Sequence, residues 1–318
     1  MEHALGPGAE FDAVRAFVGR WGALAEGIGD DAAVLDVPRG ERLVVSTDVS
    51  VENVHFRRGW LTPREIGARA TTGALSDLAA MGAAPLGIVV ALVVPHAWRA
   101  ELDALAEGIG DAVRLAGTRI VGGDLSGGDE LSITVTVLGA APRPVARSGA
   151  RAGDELFVSG LLGGPLRALR ALERGETPDA VDRTRFARPV ARLREGRWLA
   201  EHGVTAMIDV SDGLAADLRH VAAASGVRLR IDARRVPRVA GVSVRDALAS
   251  GEEYELACCA PPGAVDAAAF ERELGTPLTR VGTVEAPGAS SGDVVLDDDE
   301  ASDGVRVDLP QGHDHFSI

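Results

Sequence analysis

Residues 27–48, GIGDDAAVLDVPRGERLVVSTD, decide how the rest of the chain is read. Asp30 and Asp31 precede the apolar letters VLDV, and Ser46, Thr47 and Asp48 close the run RLVV. With the turn letters PRGE between them, the two runs predict a pair of antiparallel strands. Strands this short need no clustered carboxylates to fold. Acidic and hydroxyl side chains gathered at strand ends beside glycine suit a hard cation such as Mg²⁺, which takes oxygen ligands. The competing interpretation is a polar loop with an ordinary helix cap.

Composition narrows the partners. The 318 residues carry a formal net charge of −14, and 46% of them are hydrophobic. That length suits two domains, each with its own core. An acidic surface disfavours nucleic acid and anionic membrane as partners. All 33 basic residues are arginine. Without lysine there is no P-loop lysine to reach nucleotide phosphates, so phosphate chemistry falls to arginine, backbone N–H groups and metal ions. Cys258 and Cys259 are adjacent inside YELACCA. Neighbours in a strand behave as small hydrophobes rather than a cross-link, as suits a reducing cytoplasm. No signal peptide is legible at the N-terminus, and LGIVVALVVP is about half a membrane span.

Along the chain, Phe11, Val14, Phe17, Val18 and Trp21 predict a short amphipathic helix over 10–21. His55 follows the strand pair, and its ordinary role would be packing. Thr62-Pro63-Arg64-Glu65 has capping-box spacing with proline at the first helical position. The helix it opens should stop at Gly82 and carry Asp77 on its buried stripe, where a carboxylate is costly without a partner. LGIVVALVV predicts a central strand covered on both faces. A helix over 96–116 and a strand ending in the turn Gly122-Gly123-Asp124 should follow, then the strand LSITVTVLG.

The first domain is placed at 1–139 and the second at 140–318, opening with the linker-like APRPVARSGARAGDE. The second should contain helices near 165–174 and 190–203. The strand AMID ends in Asp209, where open α/β sheets place ligands, and Ser211 or Asp212 could cap the helix LAADLRHVAAAS. RLRIDARRVP and the cysteine run are further strands, followed by a helix over 265–274. Asp297 to Glu300 reads as a solvated hairpin turn. The acidic candidates are thus Asp31, Asp48, Asp77, Asp124, Asp209 and Asp212. Convergence of so many would require several Mg²⁺ ions to offset repulsion, the logic of metal-assisted phosphoryl transfer.

The ordered motifs GIGDDAAVL, STD, VHF, LSDLAAMGA, GGD, SITVTVLG, ARSGARAGD, IDVSDGLAADL, GEEYEL and DHF resemble the thiamine-monophosphate kinases of the aminoimidazole ribonucleotide synthetase superfamily. The resemblance spans nearly the whole chain. It implies a two-domain α/β (α+β) fold, with an N-terminal mixed sheet forming a barrel across a homodimer and a C-terminal α/β domain. The implied reaction is direct in-line transfer of the ATP γ-phosphoryl group to thiamine phosphate. At matching positions it implies Mg²⁺ ligands at Asp31, Ser46, Thr47, Asp48, Asp77, Asp124, Asp209 and Asp212. It also implies ATP contacts at Gly123, Asp124, Arg147 and Ser211, and substrate contacts at His55, Glu252 and His313. Three positions depart from the family: Glu253 replaces an aspartate, His313 an aromatic residue and Ala74 an asparagine. The alternatives are another ATP-dependent synthetase of the superfamily or a non-catalytic Mg-nucleotide-binding paralogue. Selenophosphate synthetase would call for a reactive cysteine or selenocysteine near the N-terminus, and the hydrogenase-maturation member for a terminal cysteine.

Overall fold

The computed structural model describes residues 9–25, 28, 32–287, 293–297 and 309. The chain divides into two compact units, Met1–Leu78 with Ala83–Pro142, and Ala79–Gly82 with Arg143–Ile318. Each is treated separately.

Helix α1 (Ala9–Trp21) opens the first unit and buries Phe17 and Trp21, as its spacing predicts. A four-stranded sheet follows, made of β1 (Arg42–Val51), β2 (Ala84–Val94), β3 (Ile120–Gly127) and β4 (Ser132–Ala141) in the order β1-β4-β2-β3. The expected strand over VLDV does not form: residues 33–38 join no ladder among the described residues and Val34 is 91% exposed. Pro38 has no N–H to give a ladder, and β1 pairs instead with distant β4, Arg42 opposite Ala141 through Val51 opposite Ser132. Ser46, Thr47 and Asp48 therefore lie mid-strand and not at a strand end. Gly122-Gly123-Asp124 likewise lies inside β3 and is not a turn.

β2 is central, between β4 and β3, but among the described residues only one of its faces is covered. Ile88, Val90, Leu92 and Val94 are buried while Val89, Ala91 and Val93 face outward. The same alternation along β1 leaves Leu43, Val45 and Val49 exposed. α2 (Pro63–Ala80) starts with the predicted capping box: the Thr62 N–H donates to the Glu65 carboxylate at 2.9 Å and the Glu65 N–H to the Thr62 hydroxyl at 3.3 Å. The helix expected over 96–116 is a 3₁₀ turn, His96–Glu101, followed by α3 (Leu102–Leu115). α2 and α3 touch backbone to backbone. A Cβ on Gly67 would lie 2.3 Å from the Leu105 carbonyl oxygen, and one on Gly108 1.9 Å from that of Arg64.

The second unit holds a six-stranded sheet in the order β10-β7-β9-β5-β8-β6. Its strands are β5 (Glu155–Ser159), β6 (Ala206–Asp209), β7 (Arg228–Asp232), β8 (Leu256–Ala260), β9 (Leu278–Glu285) and β10 (Val294–Asp297). All neighbours are antiparallel except β7 and β10. Asp297 thus ends a strand; the rest of the supposed hairpin turn lies outside the described residues. Helices α4 (Gly164–Glu173), α6 (Leu193–Glu201), α7 (Leu214–Ser225) and α9 (Ala267–Leu274) match the expected ones, while α5 (Ala180–Ala187) and α8 (Val244–Ala249) are additional. Leu214, Leu218 and Val221 of α7 pack with Leu156, Ile208, Leu229 and Val281 of the strands to form the core. Cys258 and Cys259 are buried in β8, as their apolar surroundings lead one to expect. Among the described residues no helix is long and apolar enough to cross a membrane.

Gly108→Ala should cost about 2–3 kcal/mol, because the new methyl group overpacks a helix contact that cannot relax locally. Gly19→Ala, in α1 with nothing within 4 Å of the added carbon, should instead be neutral or stabilise by up to ~1 kcal/mol through helix propensity. Urea unfolding midpoints of the two variants give the comparison.

Candidate active site

In the first unit, strand alternation sorts the STD triplet. Ser46 and Asp48 share the face of buried Val44, and the Ser46 hydroxyl donates to the Asp77 carboxylate in the last turn of α2. Asp77 is half-buried among fully buried neighbours, so the stripe meets this hydroxyl where its carboxylate needs a donor. Thr47 turns the other way, its hydroxyl 2.9 Å from that of Thr136. The sequence motif therefore puts two oxygen-bearing side chains, not three, on the strand face that meets Asp77 through Ser46.

Asp124 is exposed on β3, the opposite edge of the sheet from β1. The register aligns Asp48 with Val135, Val90 and Gly123 in one row, and Val49 with Thr134, Ala91 and Asp124 in the next. Three strand spacings, roughly 14 Å, separate the backbones of Asp48 and Asp124. Gly123 and Asp124 open onto a mainly apolar cleft whose other wall is Phe17, Val18 and Trp21. His55 lies in the turn after β1, where Nδ1 accepts the Val51 N–H at 3.1 Å. That bond puts the neutral imidazole's proton on Nε2, making that nitrogen a donor.

In the second unit, Asp209 ends β6 and is buried. The next residues do not cap α7. Gly213 occupies the N-cap with φ 114°, and no side chain serves the cap position. Asp217, from within the helix, reaches back instead: one of its oxygens accepts the N–H groups of Ser211, Asp212 and Gly213 at 3.1, 3.2 and 3.1 Å. Burial, with the nearby charges of Asp209 and Asp212, pushes the Asp217 carboxyl up to about 8. Sequence reasoning missed it, although an acid in the first turn of a helix is a recognisable N-terminal signal.

The segment Gly251–Tyr254 lies against this turn. The Glu252 N–H donates to the Ser211 carbonyl at 2.7 Å and the Tyr254 N–H to that of Val210 at 2.9 Å. The Tyr254 hydroxyl donates to the Glu252 carboxylate at 2.5 Å. Beneath them, Glu255 is gripped by Arg192 through two contacts of 2.9 and 2.6 Å and by the Ser159 hydroxyl at 2.6 Å. Arg147 is exposed, and its carbonyl accepts the Ser225 hydroxyl at 3.1 Å. Ser225 ends α7, so the helix, about 18 Å long, separates the Arg147 backbone from Ser211. Asp31 and His313 lie outside the described residues.

Among the described residues no three acidic, histidine or cysteine side chains form a ready-made metal cluster. What exists is smaller groupings: Asp77 held by Ser46 on the strand face that also carries Asp48, and Asp209 and Asp212 each close to Asp217. Such groupings fit a cation that keeps waters and shares substrate oxygens, as Mg²⁺ does.

Glu253 offers a pH-dependent check. Burial pushes its carboxyl up to about 7, against the opposing pull of Arg185. The folded protein then holds this proton more tightly than the unfolded chain does. Its stabilising contribution is complete below pH 4.5 and is lost as pH rises through about 7. Glu253→Gln should flatten that fall, measured as the difference in unfolding free energy between pH 5 and pH 8.

Comparison with known proteins accounts for this layout. The model of the AIR synthase related protein N-terminal domain matches residues 29–141, and that of the C-terminal domain residues 151–295. Thiamine-monophosphate kinase of Escherichia coli K12 is 35% identical over 309 residues, covering 92% of each chain. The crystal structure of thiamine-monophosphate kinase from Stenotrophomonas maltophilia K279a superposes with a TM-score of 0.80 at 34% identity, covering 89% of this chain and 96% of the other. The structure of AaThiL complexed with AMPPCP and TMP gives a TM-score of 0.77 at 28% identity, covering 96% and 97%. Carrying both domains and matching these relatives along most of its length, the chain belongs to the thiamine-monophosphate kinases of the AIR synthase related family.

Proposed function

We infer that this protein transfers the γ-phosphoryl group of ATP to thiamine phosphate, giving thiamine diphosphate and ADP. The observation that carries the reading is likeness over most of the chain to kinases of this one specificity, with a relative solved bearing an ATP analogue and TMP. The site residues agree with it chemically. The acceptor is a phosphate oxygen, and a phosphate monoester with a second pKa of about 6 is already anionic near neutral pH. Direct in-line attack then needs no strong protein base. The β–γ bridging oxygen of the phosphoanhydride leaves with ADP as the new P–O bond to the γ-phosphorus forms.

Ser46, Asp48, Asp77, Asp124, Asp209 and Asp212 are the proposed Mg²⁺ ligands, with Asp31 beside them by resemblance. Thr47 is left with its main chain only, since its hydroxyl points to the other face. Mg²⁺, when bound, would neutralise charge building on the transferring phosphoryl group. Gly123, Asp124, Arg147 and Ser211 are the proposed ATP contacts. Gly123 and Asp124 have an apolar cleft at hand for the base, while Arg147 and Ser211, at opposite ends of α7, would meet different parts of the nucleotide. His55 would donate from Nε2 to the acceptor phosphate, Glu252 would face the cationic ring system, and His313 would stack on it. The buried thiols suit the reducing cytoplasm.

A homodimer is part of the proposal. Leu43, Val45 and Val49 form an exposed apolar row on β1, continued by outward-facing Val93 of β2. Closing two such sheets into a barrel would remove both open edges. It would also bring β1 of one copy, with Asp48, beside β3 of the other, with Asp124.

Phosphorus NMR with ATP, thiamine phosphate and Mg²⁺ tests the reaction. Thiamine diphosphate and ADP should appear together, vanish with a chelator, and fall at least ~100-fold in rate in Asp48→Asn, the scale of losing transition-state charge stabilisation. ATP consumption without thiamine diphosphate would sink the assignment. Mixing inactive Asp48→Asn with inactive Asp124→Asn subunits should restore about a quarter of wild-type activity, because each mixed dimer regains one intact site of two. No recovery after verified subunit exchange would rule out a site shared between copies.

A further inference from the structure

Among the described residues only three without the freedom of glycine adopt left-handed backbone: Asn53, Glu252 (φ 59°) and Tyr254 (φ 52°). Two of the three bracket Glu253. Such conformations are costly for residues with a Cβ and persist only where surrounding contacts enforce them. Here the contacts converge on the residue between.

The Glu253 side chain is fully buried and carries a complete set of donors. One oxygen accepts the Gly163 N–H at the N-cap of α4 and the Ser250 hydroxyl at 2.6 Å; the other accepts from Arg185 at 2.9 Å. Ser250 in turn accepts the Leu166 N–H at 3.3 Å, so the loop docks on the start of α4 through two side chains. On its other side the loop is stitched by the Glu252 and Tyr254 N–H groups to the Val210–Ser211 carbonyls. Gly251 lets it come this close, since a Cβ there would lie 2.6 Å from the Ser211 oxygen. The Tyr254 hydroxyl then bonds the Glu252 carboxylate itself. Tyr254 is the only tyrosine in the chain.

We propose that Glu253 and Tyr254 are positioning residues for the acceptor. Glu253 clamps the backbone and Tyr254 clamps the side chain, so that Glu252 is held rigidly for a phosphate ester bearing a cationic ring. The proposal rests on Glu252 as an acceptor contact. A carboxylate already held in place loses less freedom when it meets a cation, so the clamp acts on acceptor binding rather than on the nucleotide.

Steady-state kinetics resolve it, with KM for thiamine phosphate and KM for ATP measured separately in Glu252→Gln, Glu253→Gln, Tyr254→Phe and the double variant Glu252→Gln/Glu253→Gln. Glu253→Gln and Tyr254→Phe should each raise the acceptor KM about ten-fold, with the ATP KM within about two-fold of wild type. In the Glu252→Gln background Glu253→Gln should add nothing further, since a residue acting through another has no effect once that other is removed. Equal changes in both KM values, or an undiminished Glu253 effect in the double variant, would overturn the positioning role and make Glu253 a general fold residue. An unchanged acceptor KM in Glu252→Gln would instead remove Glu252 from the acceptor site and the clamp with it. If Glu253→Gln does not fold, Tyr254→Phe, which deletes one half-buried hydroxyl, gives the same decision.

Discussion

One carboxylate oxygen accepting three consecutive N–H groups holds the acidic turn of the second unit together. Ser211, Asp212 and Gly213 leave β6 in a conformation that neither sheet nor helix would satisfy. Asp217 supplies the acceptor that all three lack. Buried backbone donors left alone are expensive, so the turn and the helix that carries Asp217 must form together. The carbonyls of Val210 and Ser211 then become the ledge on which Gly251–Tyr254 is hung. A helix start, a strand end and a strained loop are thereby fixed by a single acid. The same acid stands close to Asp209 and Asp212, whose charges add to burial in favouring its protonated form.

The first unit solves a different problem. Its sheet has one face covered by helices and one left partly apolar and open among the described residues, with candidate site residues on both edges. Asp48 and Asp124 are close to one register row yet at opposite ends of it. Sheet geometry, not sequence distance, keeps them apart.

Much of this was legible in the sequence because local chemistry dictated it. The capping box at Thr62–Glu65, the apolar stripe of α1, the β6 ending at Asp209 and the buried cysteines all follow from short-range pattern. The errors came where partners were distant. VLDV has strand letters, but β1 found its ladder in β4, some ninety residues on. Gly122-Gly123-Asp124 has turn letters, but β2 offered it a parallel partner. Alternation within β1 split the STD triplet, which a list of adjacent oxygen-bearing residues conceals. Glu253 looked like a conservative departure; its burial at the start of α4 depends on residues ninety positions away, and nothing in GEEYEL announces it. Ser211 and Asp212 looked like caps because cap residues precede many helices, whereas here an acid inside the helix reaches back to hold the turn before it.

The adjacent thiols of β8 give this protein an internal gauge. Cys258 and Cys259 sit between β5 and β6, away from both edges of the six-stranded sheet. Burial pushes the Cys258 thiol up to about 12 and the Cys259 thiol higher still, so neither offers a thiolate to an alkylating reagent while the sheet is closed. Modification must wait for β8 to part from its neighbours. The rate at which these sulfurs react therefore counts openings of the C-terminal sheet, on a clock built into the strand that follows Glu255 and pairs with the one ending in Asp209.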